Sequence, residues 1–383
     1  AAYKGEISKN EGKYDLNGKI ELRNNDFVRM LNNFSINYNP EYPLGLLKFS
    51  ADIKGNSSAL LLKNLNANIG ANNFAGELLF IEKEGRNVFK ANLNINKFEF
   101  ERFFYNTNTR AELSAFRPKG EKVPFLPKPL LSKAKIDYDW SKDLDIEAKI
   151  NAGKLTLRDQ NLTNASWIMV LNKQVLKVAQ FTAEKDKGIV NTDFELNIPA
   201  GNKLIGKLNL SNINLNKDEW SGLTYGLLAG QLSADVSFDT SAASVDDLMT
   251  QLSGKGTFKI EKPTVKGWNL GVIEADLEKR SLADGFKALV QENLSRGETI
   301  FNLINGEFTV DNGNFNLRKT MFDGDTYSVE MTADGNLPSW NANALCHANF
   351  KGLENVSGFD FTYDGGINAP SLETDVSRVT DVY

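Results

Sequence analysis

The sequence predicts a mostly β protein: an elongated antiparallel meander curled into an open groove or a sandwich, with a few short helices. Three observations predict it. Apolar residues alternate with polar ones in segment after segment, the period of a strand with one covered face. Clusters of Asn, Gly, Asp and Lys separate these segments as turns would. Helical spacing is confined to a handful of short stretches.

In chain order, residues 14–22 alternate through Leu16, Ile20 and Leu22, and Asn24 or Asn25 can cap a helix through Phe27, Val28, Leu31 and Phe34. Leu65, Ala67 and Ile69 alternate next. A turn at Ala71-Asn72-Asn73 follows, then the series Phe89, Ala91, Leu93 and Ile95. Phe98 and Phe100 close that unit before Arg102-Phe103-Phe104-Tyr105. Between 116 and 129, Pro118, Pro124, Pro127 and Pro129 forbid a regular ladder and mark a linker. Alternation resumes at Ile136, Tyr138 and Trp140, then Leu144, Ile146, Ala148 and Ile150, with Leu155 and Leu157 after a turn at Gly153. Val178, then Phe194, Leu196 and Ile198, then Leu208, Leu210 and Ile213 continue the pattern.

The stretch 230–270 organises the rest. Leu232, Ala234, Val236 and Phe238 fall on one strand face. Ser244 with Asp247 forms a capping box for a short helix whose stripe is Val245, Leu248, Met249 and Leu252, and Gly254 stands where a left-handed C-cap residue belongs. A strand through Phe258 and Ile260 then reaches a turn at Pro263 and the run Val265-Lys266-Gly267-Trp268-Asn269-Leu270. Two further helices are expected, on Leu270, Ile273 and Leu277, and on Phe286, Leu289, Val290 and Leu294, the latter ended by Gly297.

Three modules follow from this pass: a β module at 1–115, the linker 116–129, a middle β module at 130–218 and a C-terminal one at 219–383. Residues 64–100, 177–215 and 316–353 share one order of strand, tight turn, strand, polar turn, strand and apolar tail. That likeness fits either true repetition or the general self-similarity of meanders.

The 383 residues suffice for two or three domains or one repetitive body. With 41% hydrophobic and 24% charged residues the chain is a folded one, and a net charge of −5 argues against a nucleic-acid binder. No run of 18 apolar residues exists to span a bilayer as a helix. The start at Ala1-Ala2-Tyr3, without methionine or signal peptide, suggests a fragment or processed form whose anchor lies outside the sequence.

Catalytic chemistry is hard to assemble here. Cys346 and His347 are the only residues of their types, and neighbours on a strand point opposite ways, so they cannot form a nucleophile–base pair. Cys346 should face inward and His347 the polar side, on a strand also carrying Trp340, Ala342, Ala344, Ala348 and Phe350. The runs Asp311-Asn312-Gly313-Asn314 and Asp323-Gly324-Asp325 lack the order of a calcium loop and read as hairpin turns. Gly254-Lys255-Gly256 is no phosphate loop. The expectation is a non-enzyme without cofactor or metal.

Residues 230–270 resemble the C-terminal region of the AsmA family. The likeness rests on Gly230-Gln231-Leu232, Asp247-Leu248, the run Leu252-Ser253-Gly254-Lys255-Gly256-Thr257-Phe258, and Val265-Lys266-Gly267-Trp268-Asn269-Leu270. It is strongest over 215–277 and extends weakly from about residue 59. Glu261-Lys262-Pro263 departs from the family's Asp-Gly turn. The resemblance implies a periplasmic protein anchored in the bacterial inner membrane, related to the TamB and YhdP groups. Such proteins curl β-sheet into a hydrophobic groove and are implicated in moving phospholipid toward the outer membrane or in outer-membrane assembly. No active site carries over.

An apolar sheet face must be covered by protein or by something else, and acyl chains fit the second case. Transferring a chain of about 16 methylenes out of water is worth ~13 kcal/mol, so a greasy track would let it cross an aqueous gap. The expected function is therefore phospholipid carriage along a β-groove between the two membranes, supporting outer-membrane biogenesis. The expected lining is Leu208, Leu210, Leu232, Val236, Phe238, Phe258, Ile260, Phe308, Val310, Val329 and Met331. Partners would be acyl chains, the membrane through an unseen anchor, and outer-membrane assembly components. Two alternatives stay open: an assembly factor that pairs with outer-membrane proteins through sheet edges, and a carbohydrate-binding β module.

Overall fold

The computed structural model describes residues 1–10, 12–33, 44–99, 133–157, 160–215, 225–278, 286–352 and 358–377. Phe34, Phe100, residues 102–105, the prolines of 116–129 and Leu353 lie outside them. The architecture is mostly β, an antiparallel meander that does not close on itself, with four short helices among the described residues. It divides into two compact units. The first comprises Ala1–Phe116, Lys135–Lys185 and Ile189–Gly206, and the second Arg117–Ala134, Asp186–Gly188 and Lys207–Tyr383.

The first unit contains β1 (Ala2–Asn10), β2 (Lys13–Asn24), β3 (Leu47–Gly55), β4 (Ala59–Ile69), β5 (Asn72–Lys83), β6 (Arg86–Glu99), β7 (Leu144–Leu157), β8 (Gln160–Asn172), β9 (Val175–Lys185) and β10 (Gly188–Asn197, whose first residue belongs to the other unit). From β1 to β9 consecutive strands pair antiparallel except β6 and β7, which run parallel, and β10 pairs with β9. Arg86 fastens that joint. It donates from Nε to Asp145 Oδ2 at 2.9 Å and from one terminal nitrogen to Asp145 Oδ1 at 2.7 Å, and also reaches the Lys142 and Leu144 carbonyls. This bidentate grip holds the Asp145 carboxyl below its usual range.

Register aligns the apolar residues into rows. One row reads Leu22, Phe49, Ala67, Phe74, Ile95, Ala152 and Ala165 across seven strands. Another reads Ile53, Leu62, Leu78, Ala91, Ala148, Met169 and Val178. Small residues such as Ala51, Ala152 and Ala165 are buried, while Phe49, Leu78, Leu93, Ile150 and Trp167 remain half-buried. α1 (Phe27–Asn33) is capped by Asp26, whose carboxylate accepts from Arg29 N at 3.0 Å. Asn24, one of the two expected caps, instead accepts from Asp26 N at 2.8 Å, because the chain makes an Asx turn before the helix.

Mid-strand kinks recur at Asn64, Asn164 and Gln180, each with positive φ (48°, 51° and 55°) beside a register shift. A carboxylate on the neighbouring strand steadies each one. Asn64 Nδ2 donates to Asp52 at 2.6 Å, Asn164 Nδ2 to Glu184 at 3.0 Å, and Gln180 N to Asp193 at 2.6 Å. Such β-bulges twist the strand while keeping its apolar side inward.

Three local expectations are corrected. The turn after β4 is Gly70-Ala71, since Asn72 already pairs with Ile69. Ile136, Tyr138 and Trp140 precede β7 in a non-strand segment ending in a 3₁₀ turn (Asp139–Ser141), where Ser141 N bonds the Tyr138 carbonyl. Gly153 makes no turn. It continues β7, where a Cβ would sit 2.9 Å from the Asn96 carbonyl oxygen of parallel β6.

The second unit begins within β11 (Lys203–Leu215) and contains β12 (Gly226–Ser241), α2 (Val245–Thr250), β13 (Ser253–Lys266), α3 (Leu270–Glu278), α4 (Phe286–Leu294), β14 (Glu298–Ile300), β15 (Leu303–Asp311), β16 (Asn314–Asp323), β17 (Tyr327–Asn336), β18 (Asn341–Phe350), β19 (Phe359–Gly366) and β20 (Ser371–Asp375). The ladder runs β12-β13-β15-β16-β17-β18-β19-β20, all antiparallel, with β14 on the far end of β13. Bonds from Asn212 N to Ser233 Oγ (3.1 Å) and from Asn209 Nδ2 to Asp235 (2.6 Å) set β11 beside β12. The capping box forms as expected: Ser244 Oγ accepts from Asp247 N at 3.0 Å.

Two expectations fail here for stated reasons. Gly254 is no helix cap but a residue of β13 opposite Phe238, where a Cβ would lie 2.4 Å from the Ser237 carbonyl oxygen. Pro263 makes no turn. β13 runs through it and changes partner from β15 to β14, with Lys262 in the left-handed region (φ 49°). Proline's missing N–H falls where the bulge breaks the ladder anyway. Asn312 (φ 48°) and Gly313 (φ 76°) do form the expected tight hairpin. Trp340, also with positive φ, sits in the turn before β18 and not on its face.

Candidate functional site

Successive rows cross the apolar face of the second unit. The first is Leu232, Ile260, Ile304, Phe322, Val329, Ala348 and Phe359. The next is Ala234, Phe258, Gly306, Thr320, Met331, Cys346 and Phe361. A third reads Val236, Gly256, Phe308, Leu317, Ala333, Ala344 and Tyr363, and a fourth Phe238, Gly254, Val310, Phe315, Gly335 and Ala342.

The two ends of this face differ. At the first row α3 and α4 pack onto it, burying Leu270, Ile273, Leu277, Val290 and Leu294 to 1% exposure or less. Trp268 wedges between helices and sheet, its ring 5.1 Å from Phe322 and 5.4 Å from Phe361, and its Nε1 donates to the Tyr363 hydroxyl at 2.7 Å. Thr299 ties the wedge down: its hydroxyl donates to the Trp268 carbonyl at 2.8 Å and accepts from Leu270 N at 3.1 Å. Burial here pushes the Cys346 thiol up to about 12 and raises Tyr363 as well. His347 points to the other face, with Nδ1 2.6 Å from Asp360 Oδ1.

Toward the fourth row nothing comparable covers the sheet among the described residues. Val236, Phe238, Phe308, Val310, Phe315, Leu317, Ala342 and Ala344 stay half-buried. Much of their partial cover is their own doing. A Cβ at Gly256 would lie 2.6 Å from the Phe308 ring, one at Gly306 2.8 Å from Phe258, and one at Gly335 2.6 Å from Phe315. Each ring thus lies across a glycine of the next strand, giving a low floor of aromatic and small side chains.

The expected lining divides accordingly. Ile260 (4% exposed) and Val329 (0%) lie under the helices, sealed from anything outside. Leu232, Phe258 and Met331 border the sealed core, and Val236, Phe238, Phe308 and Val310 lie on the open half. Leu208 and Leu210 are half-buried on the adjoining β11. Sequence reasoning passed over Phe315, Leu317 and Ala342, although the same alternation carries them. It also omitted the first unit's rows, where Phe49, Leu78 and Trp167 present an equivalent face without a helix packed over it among the described residues.

Fold and face together define a class, an open antiparallel β-meander presenting a partly uncovered apolar face. The chain belongs to the AsmA family, whose family model matches residues 38–320. No curated protein and no solved structure matches the chain. Family membership is consistent with an envelope-related function. Among the described residues no group of His, Cys, Asp and Glu is arranged to hold a metal, and no helix is long and apolar enough to cross a membrane.

Proposed function

We propose that this protein is a non-enzymatic carrier of phospholipid acyl chains, working at the periplasmic face of the bacterial inner membrane and supporting outer-membrane biogenesis. The observation that carries the reading is the register. Apolar side chains stay on one face through strand after strand, and much of that face has no helix packed over it among the described residues. Water against such a surface is unfavourable at roughly 25 cal/mol per Å², and a hydrocarbon tail removes it without needing a polar partner. Rows repeat every two residues, about 6.7 Å along a strand, so neighbouring rows offer parallel lanes for tails. Lateral sliding needs no nucleophile or metal. The test is site-specific photo-crosslinking from Leu78, Trp167 and Phe315 in cells, with mass spectrometry of the adducts. Lipid attached at all three supports the carrier; protein adducts alone would favour an assembly factor.

A further inference from the structure

Cations without a counter-charge gather at one place in the first unit. A cavity of about 670 Å³ lies where β2 meets α1, lined by Arg23, Asn24, Asn25, Asp26, Arg29 and Met30. Of the three arginines described in this unit, Arg86 is committed to Asp145, and the other two both line this cavity. Register adds a third cation. Arg23 stands directly opposite Lys48 on β3, and both are exposed. Like charges facing one another across a ladder repel, and the residue beyond Lys48 is Asn68, not an acid. Among the described residues no carboxylate pairs with the side chain of Arg23, Arg29 or Lys48.

The neighbouring acids do not cancel this charge. Glu21, two residues before Arg23 on the same strand face, lies 3.9 Å from Lys19, so that pair is neutral by itself. Asp26 lines the cavity, but its Oδ1 accepts from Arg29 N at 3.0 Å and closes the first turn of α1. Three cations therefore face one carboxylate. The helix backbone takes no part, since Met30 N is bonded to the Asp26 carbonyl at 3.1 Å. Asn24 Oδ1 accepts from Asp26 N at 2.8 Å, which leaves its amide nitrogen to donate into the cavity. The wall is thus rich in N–H donors and positive. Guanidinium forks match the paired oxygens of a phosphate group, whereas a lysine adds a point charge.

We infer that this cavity binds a phosphate group, carried by a small soluble phosphate or by a phospholipid headgroup, with Arg23 and Arg29 gripping its oxygens and Lys48 adding to the field. The site takes charge and not tails, so it stands whether or not the sheet carries acyl chains. The test uses the purified chain labelled with [15N]arginine at low salt. Titration with inorganic phosphate is followed by the arginine Nε–H signals, and sedimentation with phosphatidylglycerol vesicles is measured separately. Two Nε–H signals should shift saturably, and Arg23→Gln or Arg29→Gln alone should weaken binding by about fivefold, the upper size for an exposed charge contact. Saturation by inorganic phosphate without vesicle binding assigns a soluble phosphate. Sedimentation that the Arg23→Gln/Arg29→Gln pair abolishes assigns a headgroup. Absence of both overturns the site. Equal weakening by Lys54→Gln/Lys63→Gln, which removes exposed charge elsewhere in the same unit, overturns it too, because any positive surface would then serve.

Discussion

The ring of Phe308 lies against the backbone of Gly256, so close that an added Cβ would sit 2.6 Å from its Cε1 and Cζ. The pair faces across β13 and β15, and the Asp235 carbonyl oxygen, 2.8 Å from the same point, closes the other side. Gly256→Ala should therefore destabilise the second unit by about 1–3 kcal/mol through overpacking. Phe308→Ala should recover part of that loss in a double-mutant cycle followed by urea unfolding. Additive effects would show that the ring does not occupy the glycine's space.

Opposite Gly306 stands Thr320, 1% exposed, its hydroxyl without a hydrogen-bond partner. An unpaired buried hydroxyl carries a desolvation cost that an isosteric methyl lacks. Thr320→Val is expected to stabilise by about 1 kcal/mol, read as a higher urea midpoint with unchanged slope. A lower midpoint would mean the hydroxyl is paired in solution.

The sealed and open halves should answer differently to charge. Val329→Asp places a carboxylate in a 0% exposed core and should unfold the second unit. Val236→Asp, on the open half, should leave the far-ultraviolet circular dichroism intact and lower lipid capture. Equal unfolding by both would mean that the open half is closed in solution.

Acid should loosen the β6–β7 joint of the first unit. Asp145 is held below its usual range chiefly by the hydrogen bonds from Arg86. A depressed folded value stabilises above the unfolded value of 3.8, and the benefit disappears as pH falls below about 4. Asp145→Asn should lower the melting temperature at pH 7 and flatten its decline between pH 5 and 3.

Alkali should act on the buried groups of the second unit. Burial lifts the Cys346 thiol from 9.0 to about 12 and raises Tyr225, Tyr327 and Tyr363 too. Groups raised in the fold stabilise below their unfolded values and cease to do so as pH climbs through the folded ones. The second unit should lose stability from about pH 9 upward, and Cys346 should resist thiol reagents at pH 8 until the chain unfolds. Prompt labelling of the native chain would contradict its burial.

The fold class was legible because period-2 alternation survives in a single chain: Phe89, Ala91, Leu93 and Ile95 declare their face without help. The capping box at Ser244 and the hairpin at Asn312-Gly313 were legible for the same local reason. Glycines misled. Gly153 and Gly254 look like turn or cap residues in isolation, yet each sits in a strand where a neighbouring backbone leaves no space for a Cβ. That neighbour is distant in sequence, so no local pattern announces it. The division of the lining was hidden likewise, since nothing adjacent to Ile260 or Val329 tells that helices 10 to 60 residues away will cover them.

The left-handed residues Asn64, Asn164 and Gln180 have a consequence for how such a chain tolerates change. Each is a notch keyed to one carboxylate across the ladder, so sliding a strand by a residue would unseat the key and turn its greasy side outward. Insertions and deletions are then accommodated only in whole hairpins. Length becomes a modular property, adjustable in steps of two strands without disturbing the lanes already laid down.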